Sequence, residues 1–380
     1  VSVALMLLVG AGVFLRTLAN LQHVNAGFQP EGVMTGMLAL PPARYQEPAS
    51  RIAFMRALSD RMAAIPGVVS AGIGVPFPFS GGNASASFNI EGRTSSPGDP
   101  GPHGNVRYVS PGYFTTLRIP LRAGRYFSDS DRQDSVPAVI IDETLAKQYW
   151  PAEDPIGKHM RRGNRAPWST IIGVVGHVKH SDLAGDTTKG TYYYSIYQQP
   201  IPFAGVLLRT AGDPVGLAIP IRDAVRSVDP VQPVDRIRTM SDLLSASLAP
   251  RRFAFTILGF FAATALFMAA LGLYGVISYS VAQRTKEIGI RIALGAETRS
   301  VIQLIVVQGL RLTAVGLFIG LIGAFWATRL LRTHLVGVEA FDPVTFITMA
   351  FVLAAAAFVA SYLPARRAAR VDPMVALRHE

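Results

Sequence analysis

The chain has 380 residues, half of them hydrophobic but only 16% charged, and 36 Lys plus Arg against 25 Asp plus Glu give it a net charge of +11. That composition excludes a disordered, tail-like nucleic-acid binder, because such chains are rich in charge and poor in apolar residues. An ordinary soluble domain carries about 25% charged residues, so the deficit points to chain that meets lipid rather than water.

In chain order, residues 1–15 hold no charge, and a first transmembrane helix is expected over residues 1–22. It starts at Val1 without an initiating Met or a cationic flank, so the sequence is expected to be a piece of a longer protein. Residues 28–250 then alternate strand-like and helix-like stretches. Val33 to Leu40 reads as a strand closed by Pro41 and Pro42. Ser50 is expected to cap a helix with Ile52, Met55, Leu58, Met62 and Ile65 on one face, and Val68 to Val75 returns as a strand. The same grammar recurs later. Gly205 to Arg209 is a strand, Asp213 and Pro214 open a helix to Val228 with a kink or break predicted at Pro220, and Val234 to Met240 is a strand. Two such units predict one α+β subdomain built from both ends of the domain, with an inserted lobe at about 86–185. Strands are predicted in that lobe at Ser87 to Glu91, Arg107 to Ser110, Arg118 to Leu121, Ala138 to Asp142 and Thr170 to His177, with a Pro- and Gly-rich loop from Ser95 to Gly104.

Beyond residue 250 the apolar blocks return. Phe253 to Gln283, Leu312 to Thr328 and Pro343 to Ala365 are free of charge, and a helix needs about 20 residues to cross about 30 Å of hydrocarbon. Spans are therefore predicted at about 253–282, 309–330 and 343–364. The fold class expected is an α-helical membrane protein with four transmembrane helices plus a large extracytoplasmic α+β domain. Arg284, Lys286, Arg291 and Arg299 lie in the loop after the second span, and Arg366, Arg367, Arg370 and Arg378 lie in the tail. Lys and Arg in short loops mark the cytoplasmic side, which places residues 28–250 outside and the tail, 365–380, inside.

The external domain offers little chemistry. It has no phosphate-cradling Gly-x-x-x-x-Gly-Lys-Ser/Thr, no Gly-x-Ser-x-Gly and no His-Glu-x-x-His, and without cysteine there is no thiolate site. His177 and His180 read as a solvated pair on opposite faces of a strand. Asp129, Asp131, Asp134, Asp142 and Glu143 read as a turn and a helix cap, Gly173 to Gly176 as a closely packed strand, and Asn83-Ala84-Ser85 fits a glycosylation acceptor. No metal, bound cofactor or enzymatic activity is expected, and without a dense basic patch nucleic acid is not an expected partner.

The loop after the second span carries more. Arg284-Thr285-Lys286-Glu287-Ile288-Gly289-Ile290-Arg291-Ile292-Ala293-Leu294-Gly295-Ala296 mixes charge with apolar residues, and Glu297 to Gln308 continues as an amphipathic stretch with Val301, Ile302, Ile305 and Val306 apolar. Such a helix rests on the bilayer or docks in a partner's groove. The tail Pro364-Ala365-Arg366-Arg367-Ala368-Ala369-Arg370-Val371-Asp372-Pro373 is a short basic helix ended by proline, an anchor on the positive side. Gly316 and Gly320 place small residues on one helix face, for close packing against another span or for gap-filling within the bundle. Arg311 is the sole charge candidate within the membrane, close enough to an interface to snorkel.

At these residues the sequence resembles the permeases of the MacB, FtsX and LolC/LolE superfamily, the type VII ABC transporters. Arg284 to Ala296 is similar to that family's Arg-Thr-x-Glu-Ile-Gly-Ile-Arg-x-Ala-x-Gly-Ala signature, with Lys286 in place of the commoner Arg, and Leu363 to Leu377 resembles its ending. Val109 to Phe114, Gly124-Arg125 and Pro151 to Lys158 resemble the MacB-like periplasmic core domain of duplicated permeases, of which this chain looks like the second half; the ATPase domain that MacB carries ahead of its permease has no counterpart here. The resemblance implies porter-like and Sabre-like subdomains outside, a bacterial inner-membrane location and mechanotransmission. It implies a cytoplasmic ABC ATPase partner that holds the ATP, touching Arg284, Lys286, Glu287, Ile288, Gly289, Arg291, Gly295 and Ala296 within a coupling region 284–308. It also implies a second permease half or a homodimer, and an extracytoplasmic fusion protein or substrate. Export is the leading expectation. An FtsX-like scaffold regulating a cell-wall hydrolase, or a LolC/LolE-like lipoprotein release subunit, is the alternative.

Overall fold

A computed structural model of the chain describes residues 1–22, 24–93, 101–183, 189–284, 287, 290–291, 297–330 and 342–368. Two compact units result, one of Val24–Ala249 and one of Val1–His23 with Pro250–Glu380.

In the first unit, β1 (Val33–Ala39), β2 (Val68–Val75), β10 (Phe203–Thr210) and β11 (Asp235–Thr239) form an antiparallel sheet in the order β11-β1-β10-β2. Helices α2 (Pro48–Ala63) and α5 (Ala218–Val228) connect them as two strand-helix-strand units, so strands from both ends of the domain interleave in a split βαβ arrangement. Phe54, Met55, Leu58 and Met62 of α2 share a buried core with Ile221 and Val225 of α5 and with Leu38, Ile73, Val206 and Leu208 of the sheet. The cap of α2 is a correction: Glu47 holds that position, Pro48 opens the helix, and the Ser50 hydroxyl merely donates back to the Glu47 carbonyl at 2.7 Å. Proline at the first helical position has lost only an N–H that no turn would have used. Pro220 likewise sits in the first turn of α5; the chain breaks before it, after a 3-10 turn over Pro214–Leu217 that Asp213 caps.

Between β2 and β10 the chain closes a small barrel. Strands β3 (Ser85–Ile90), β4 (His103–Val109), β6 (Ala138–Asp142), β7 (His159–Arg162), β8 (Ser169–Val175) and β9 (Thr191–Ser195) pair around the ring β3-β4-β9-β6-β8-β7 and back to β3. Phe88, Val106, Tyr108, Val139, Ile141, Ile171, Tyr192 and Tyr194 fill its interior. Two expectations fail here. Arg118 to Leu121 is no strand: Arg118 adopts a left-handed conformation (φ 53°) that ends helix α3 (Tyr113–Leu117), and β5 starts only at Leu121 and ends at Gly124. And β9, beyond the expected lobe limit at 185, is central to the ring, buried on both faces: Tyr192 and Tyr194 point inward while Tyr193 stacks edge-on against Phe114 at 5.1 Å.

The outer side of the ring packs closely. A Cβ on Gly173 would strike the Arg125 carbonyl, and Arg125 itself forms a two-pronged pair with Asp131 at 2.8 Å. Burial pushes the Asp131 carboxyl up, but Arg125 and Ser128 outweigh it and hold the group below its ordinary value. Asp142 caps helix α4 (Glu143–Tyr149) through Leu145 N at 2.8 Å and holds His177 Nδ1 at 2.7 Å.

His180 overturns the solvated-pair expectation. It is 1% exposed, and its Nδ1 accepts from Nε of the fully buried Arg107, whose other donors reach Ala84 O, Val106 O and Asn83 Oδ1. Burial first, then the Arg107 and His177 charges, holds the His180 imidazole well below its ordinary value of 6.5. The sign follows: below about pH 6.5 the unfolded chain takes a proton that the native protein refuses, so stability falls as pH drops. In full-chain denaturation between about pH 6.5 and 5, the wild type is expected to lose about 1 kcal/mol per pH unit more than His180→Gln.

The helical unit comprises α1 (Ser2–Gln22), the continuation of α6 (Met240–Gln283), α7 (Thr298–Leu330) and α8 (Pro343–Ala368). Three of these, Met240–Gln283, Arg299–Arg329 and Pro343–Arg367, are long and apolar enough to cross a membrane; the apolar part of α1, Ser2–Thr17, is shorter. Leu5, Val9 and Val13 recur at helical spacing on the buried side of α1. A Cβ on Gly316 would meet the Val1 side chain at 2.5 Å, and one on Gly320 would meet Leu5 at 3.0 Å. Gly12 of α1 does the same for α8, where Thr345 and Met349 lie 2.7 and 2.9 Å from its virtual Cβ. Arg16 closes the arrangement by pairing with Asp342, which also accepts from Thr345 N at the start of α8.

Candidate functional site

The site assembles where α6 ends and α7 begins. The apolar run of α6 stops at Gln283, whose amide donates to Tyr279 Oη at 2.8 Å, and Arg284 N still reaches Val281 O at 3.1 Å. Glu297 starts α7: its carbonyl accepts from Ser300 N at 2.9 Å, and its charge lies at the helix end that favours anions. Val301, Ile305 and Val306 then turn inward against Leu273 and Ile277 of α6 and Ala357, Ala360 and Ala365 of α8. Arg299, Leu304 and Val307 stay exposed, the two-faced pattern of a helix that meets a second surface.

Above this core opens a cleft of about 90 Å³ lined by Ile277, Ser280, Val281, Arg284, Glu287, Arg291, Leu304, Ile305 and Gln308. Glu287 and Arg291 pair one turn apart at 2.6 Å, each about half exposed. Such a pair is worth only about 0.5 kcal/mol or less to the fold, so its charges remain open to rearrange with an incoming group. Arg284 forms the rim shared with an adjoining depression that Ser300, Gln303, Val307 and Arg311 line.

Of the residues expected to meet a partner, the structure brings Arg284, Glu287 and Arg291 into one cleft; Lys286, Ile288, Gly289, Gly295 and Ala296 lie outside the described residues. In the tail motif, Pro364 is buried inside α8, Arg366 is exposed, and Arg367 Nη1 donates to Tyr274 Oη of α6 at 2.8 Å. Arg370, Asp372 and Pro373 lie outside the described residues. Gly316 and Gly320 face α1 of the same chain. Two distant motifs thus converge on one end of the helical unit. Sequence reasoning missed most of the residues that tie them together, Tyr274 and the alanines at 357 and 360, because nothing marks a tyrosine or an alanine inside an apolar run as a contact. Among the described residues, no cluster of three or more His, Cys, Asp or Glu side chains suits a metal ion.

Residues 1–232 match the model of the MacB-like periplasmic core domain, and residues 259–373 match that of the FtsX-like permease C-terminal region. Among similar proteins, the macrolide export ATP-binding/permease protein MacB of Azoarcus sp. is 29% identical over 293 residues, covering 70% of this chain and 41% of that protein. The pyoverdine export ATP-binding/permease protein PvdT of Pseudomonas putida is 27% identical over 278 residues, covering 69% and 41%. The chain thus spans about two-fifths of the length of these relatives. The crystal structure of the periplasmic region of MacB from Actinobacillus actinomycetemcomitans superposes with a TM-score of 0.39 at 15% identity, covering 61% of this chain and 97% of that one. With the core-domain model matched over more than half of its length and the permease model over most of the remainder, the chain belongs to the family of membrane-integral permeases that join a MacB-like periplasmic core domain to an FtsX-like C-terminal region.

Proposed function

We propose that the chain is a non-catalytic permease subunit, or half, of an ABC-type exporter, and that it transmits ATP-driven motion from a cytoplasmic ATPase to its extracytoplasmic domain. The observation that carries this reading is the convergence of the loop and tail motifs on one helical end, where Arg284, Glu287 and Arg291 line an open cleft over a packed apolar floor. A partner pushing on that cleft moves α6, α7 and α8 together, because the floor joins all three. ATP is bound and hydrolysed on the partner, and the chain itself needs no cofactor.

In this reading α1 is the fourth span, supported by its uncharged run and its close seating on α7 and α8. The cleft and tail face the cytoplasm of a bacterial inner membrane, and residues 28–250 lie outside, with the split βαβ sheet as the porter-like part and the barrel as the Sabre-like part. A second permease half or a second copy completes the assembly: only 6% of the apolar window of α6 is buried, against 33% in α7 and in α8, leaving α6 a broad face for lipid or for that partner. An extracytoplasmic fusion protein or substrate engages the outer domain. The relatives whose names record macrolide and pyoverdine export favour export over cell-wall scaffolding or lipoprotein release.

The test is reconstitution with the candidate ATPase. Arg284→Ala with Glu287→Ala is expected to uncouple hydrolysis from transport, reducing ATP-dependent export about tenfold or more, the scale of losing charged contacts at an interface. The variant's thermal unfolding should stay close to wild type, since both side chains are exposed. Undiminished coupling in the double variant refutes the assignment.

A further inference from the structure

The Val24–Ala249 unit holds a second cleft, of about 610 Å³, to which no role attaches so far. The turn at Phe79 to Asn83, Arg236 and Arg238 of β11, and the first turns of α6 at Leu243 and Ala246 wall it. Its backbone is unusual. Among the described residues only three other than glycine have positive φ, and two of them, Phe79 at 59° and Arg236 at 52°, line this cleft; the third, Arg118, ends a helix. Such conformations are strained and persist where surrounding structure enforces them, often beside ligands.

At Arg236 the enforcing feature is a β-bulge. Thr35 pairs with Arg238 and Met37 with Asp235, so Arg236 and Ile237 together oppose Gly36. A bulge re-aims the side chains of its strand. Here Ile237 packs against the core of the sheet while Arg236 and Arg238 both reach the cleft. Among the described residues neither guanidinium has a carboxylate partner, whereas Arg44, Arg122 and Arg125 all do. Two adjacent cations left unneutralised in a concavity repel one another, and that repulsion is relieved by an anion held between them.

The remaining wall is apolar. Phe79 is buried and Leu243 half-buried, and Gly81, at φ 86° with open space where a Cβ would stand, keeps the mouth clear. An inorganic anion would satisfy the arginines and leave this wall wet. We propose that the cleft binds an amphiphile through its acidic head, a phosphate or carboxylate held by Arg236 and Arg238, with its apolar part along Phe79, Leu243 and Ala246.

The test titrates decyl phosphate into the full chain in a neutral detergent, with inorganic phosphate, decanoate and decyltrimethylammonium as parallel probes. Saturable binding of decyl phosphate and decanoate is expected, with inorganic phosphate and the cationic amphiphile at least about tenfold weaker. Arg236→Gln with Arg238→Gln should weaken decyl phosphate at least about tenfold, and Leu243→Glu should do so while leaving inorganic phosphate unchanged. Both arginines are exposed, so the double variant should unfold at the wild-type temperature. Competition by nanodiscs of phosphatidylglycerol but not phosphatidylcholine identifies a membrane headgroup as the source; competition by neither identifies a free amphiphile. Equal binding by the double variant, or by decyltrimethylammonium, overturns the proposal. No ATPase enters this measurement, so its outcome is separate from that of the transmission test.

Discussion

Asp142→Ala is expected to cost the Val24–Ala249 unit about 3–5 kcal/mol, the range for removing one partner from a buried charged network. The carboxylate is fully buried and serves two masters: Oδ1 accepts from Leu145 N to start α4, and Oδ2 holds His177 Nδ1. Burial raises its pKa against the opposing pull of His177 and of the Leu145 and Thr191 backbone N–H groups, so the site has already spent solvation energy that these partners return. Deleting the side chain orphans both at once. For a unit of this size each 1 kcal/mol lowers the midpoint by about 2–4 °C, so a drop of roughly 10 °C is expected in thermal denaturation of the full chain in detergent. Asp142→Asn keeps an oxygen for the cap and is expected to lose only about a third of that. Equal losses in the two variants would mean that the charge, not the cap, carries the effect.

The second large effect concerns α1. Gly316→Leu with Gly320→Leu places two side chains where Val1 and Leu5 already sit, and overpacking of this kind costs about 1–3 kcal/mol per site. Helix packing in lipid depends on close approach, because lipid tails are as apolar as leucine and give no hydrophobic drive for association. α1 is therefore expected to separate from α7. The chain lacks cysteine, which makes the measurement direct: a cysteine pair introduced at Met6 and Gly323, where a Cβ on Gly323 would meet the Met6 side chain, should crosslink more slowly in the double variant than in its parent. Unchanged crosslinking and an unchanged unfolding temperature would show that the seam accommodates bulk.

The parts of the fold legible in the sequence are those where one face is wet. The buried face of α2 repeats at helical spacing because solvent lies on its other side, whereas the strand Val68–Val75, whose last four residues are all buried, was legible only as an apolar run bounded by Pro66-Gly67 and Pro76. Thr191–Ser195 gave no such signal: every residue is buried, three tyrosines in a row face two different cores, and period-two reasoning finds nothing to count. Arg107 was illegible for a related reason. A fully buried arginine satisfied by carbonyls, an asparagine and a histidine looks, in a sequence, like any surface arginine. At the candidate site the charged motif was readable, but not its floor. Ala357, Ala360 and Ala365 are small because other helices come close, and closeness is a property of the partner helix rather than of the residue.

The closed ring of strands has a consequence for how this domain behaves among copies of itself. With β3, β4, β6, β7, β8 and β9 paired around the circle, the described strands with a single neighbour are β5 and β11. β5 is four residues long, too short to template another chain. β11 carries Asp235, Arg236 and Arg238 and is bent by its bulge; charge and curvature both resist strand addition. The Val24–Ala249 unit can therefore stand crowded beside many neighbours without its sheet being extended into an aggregate.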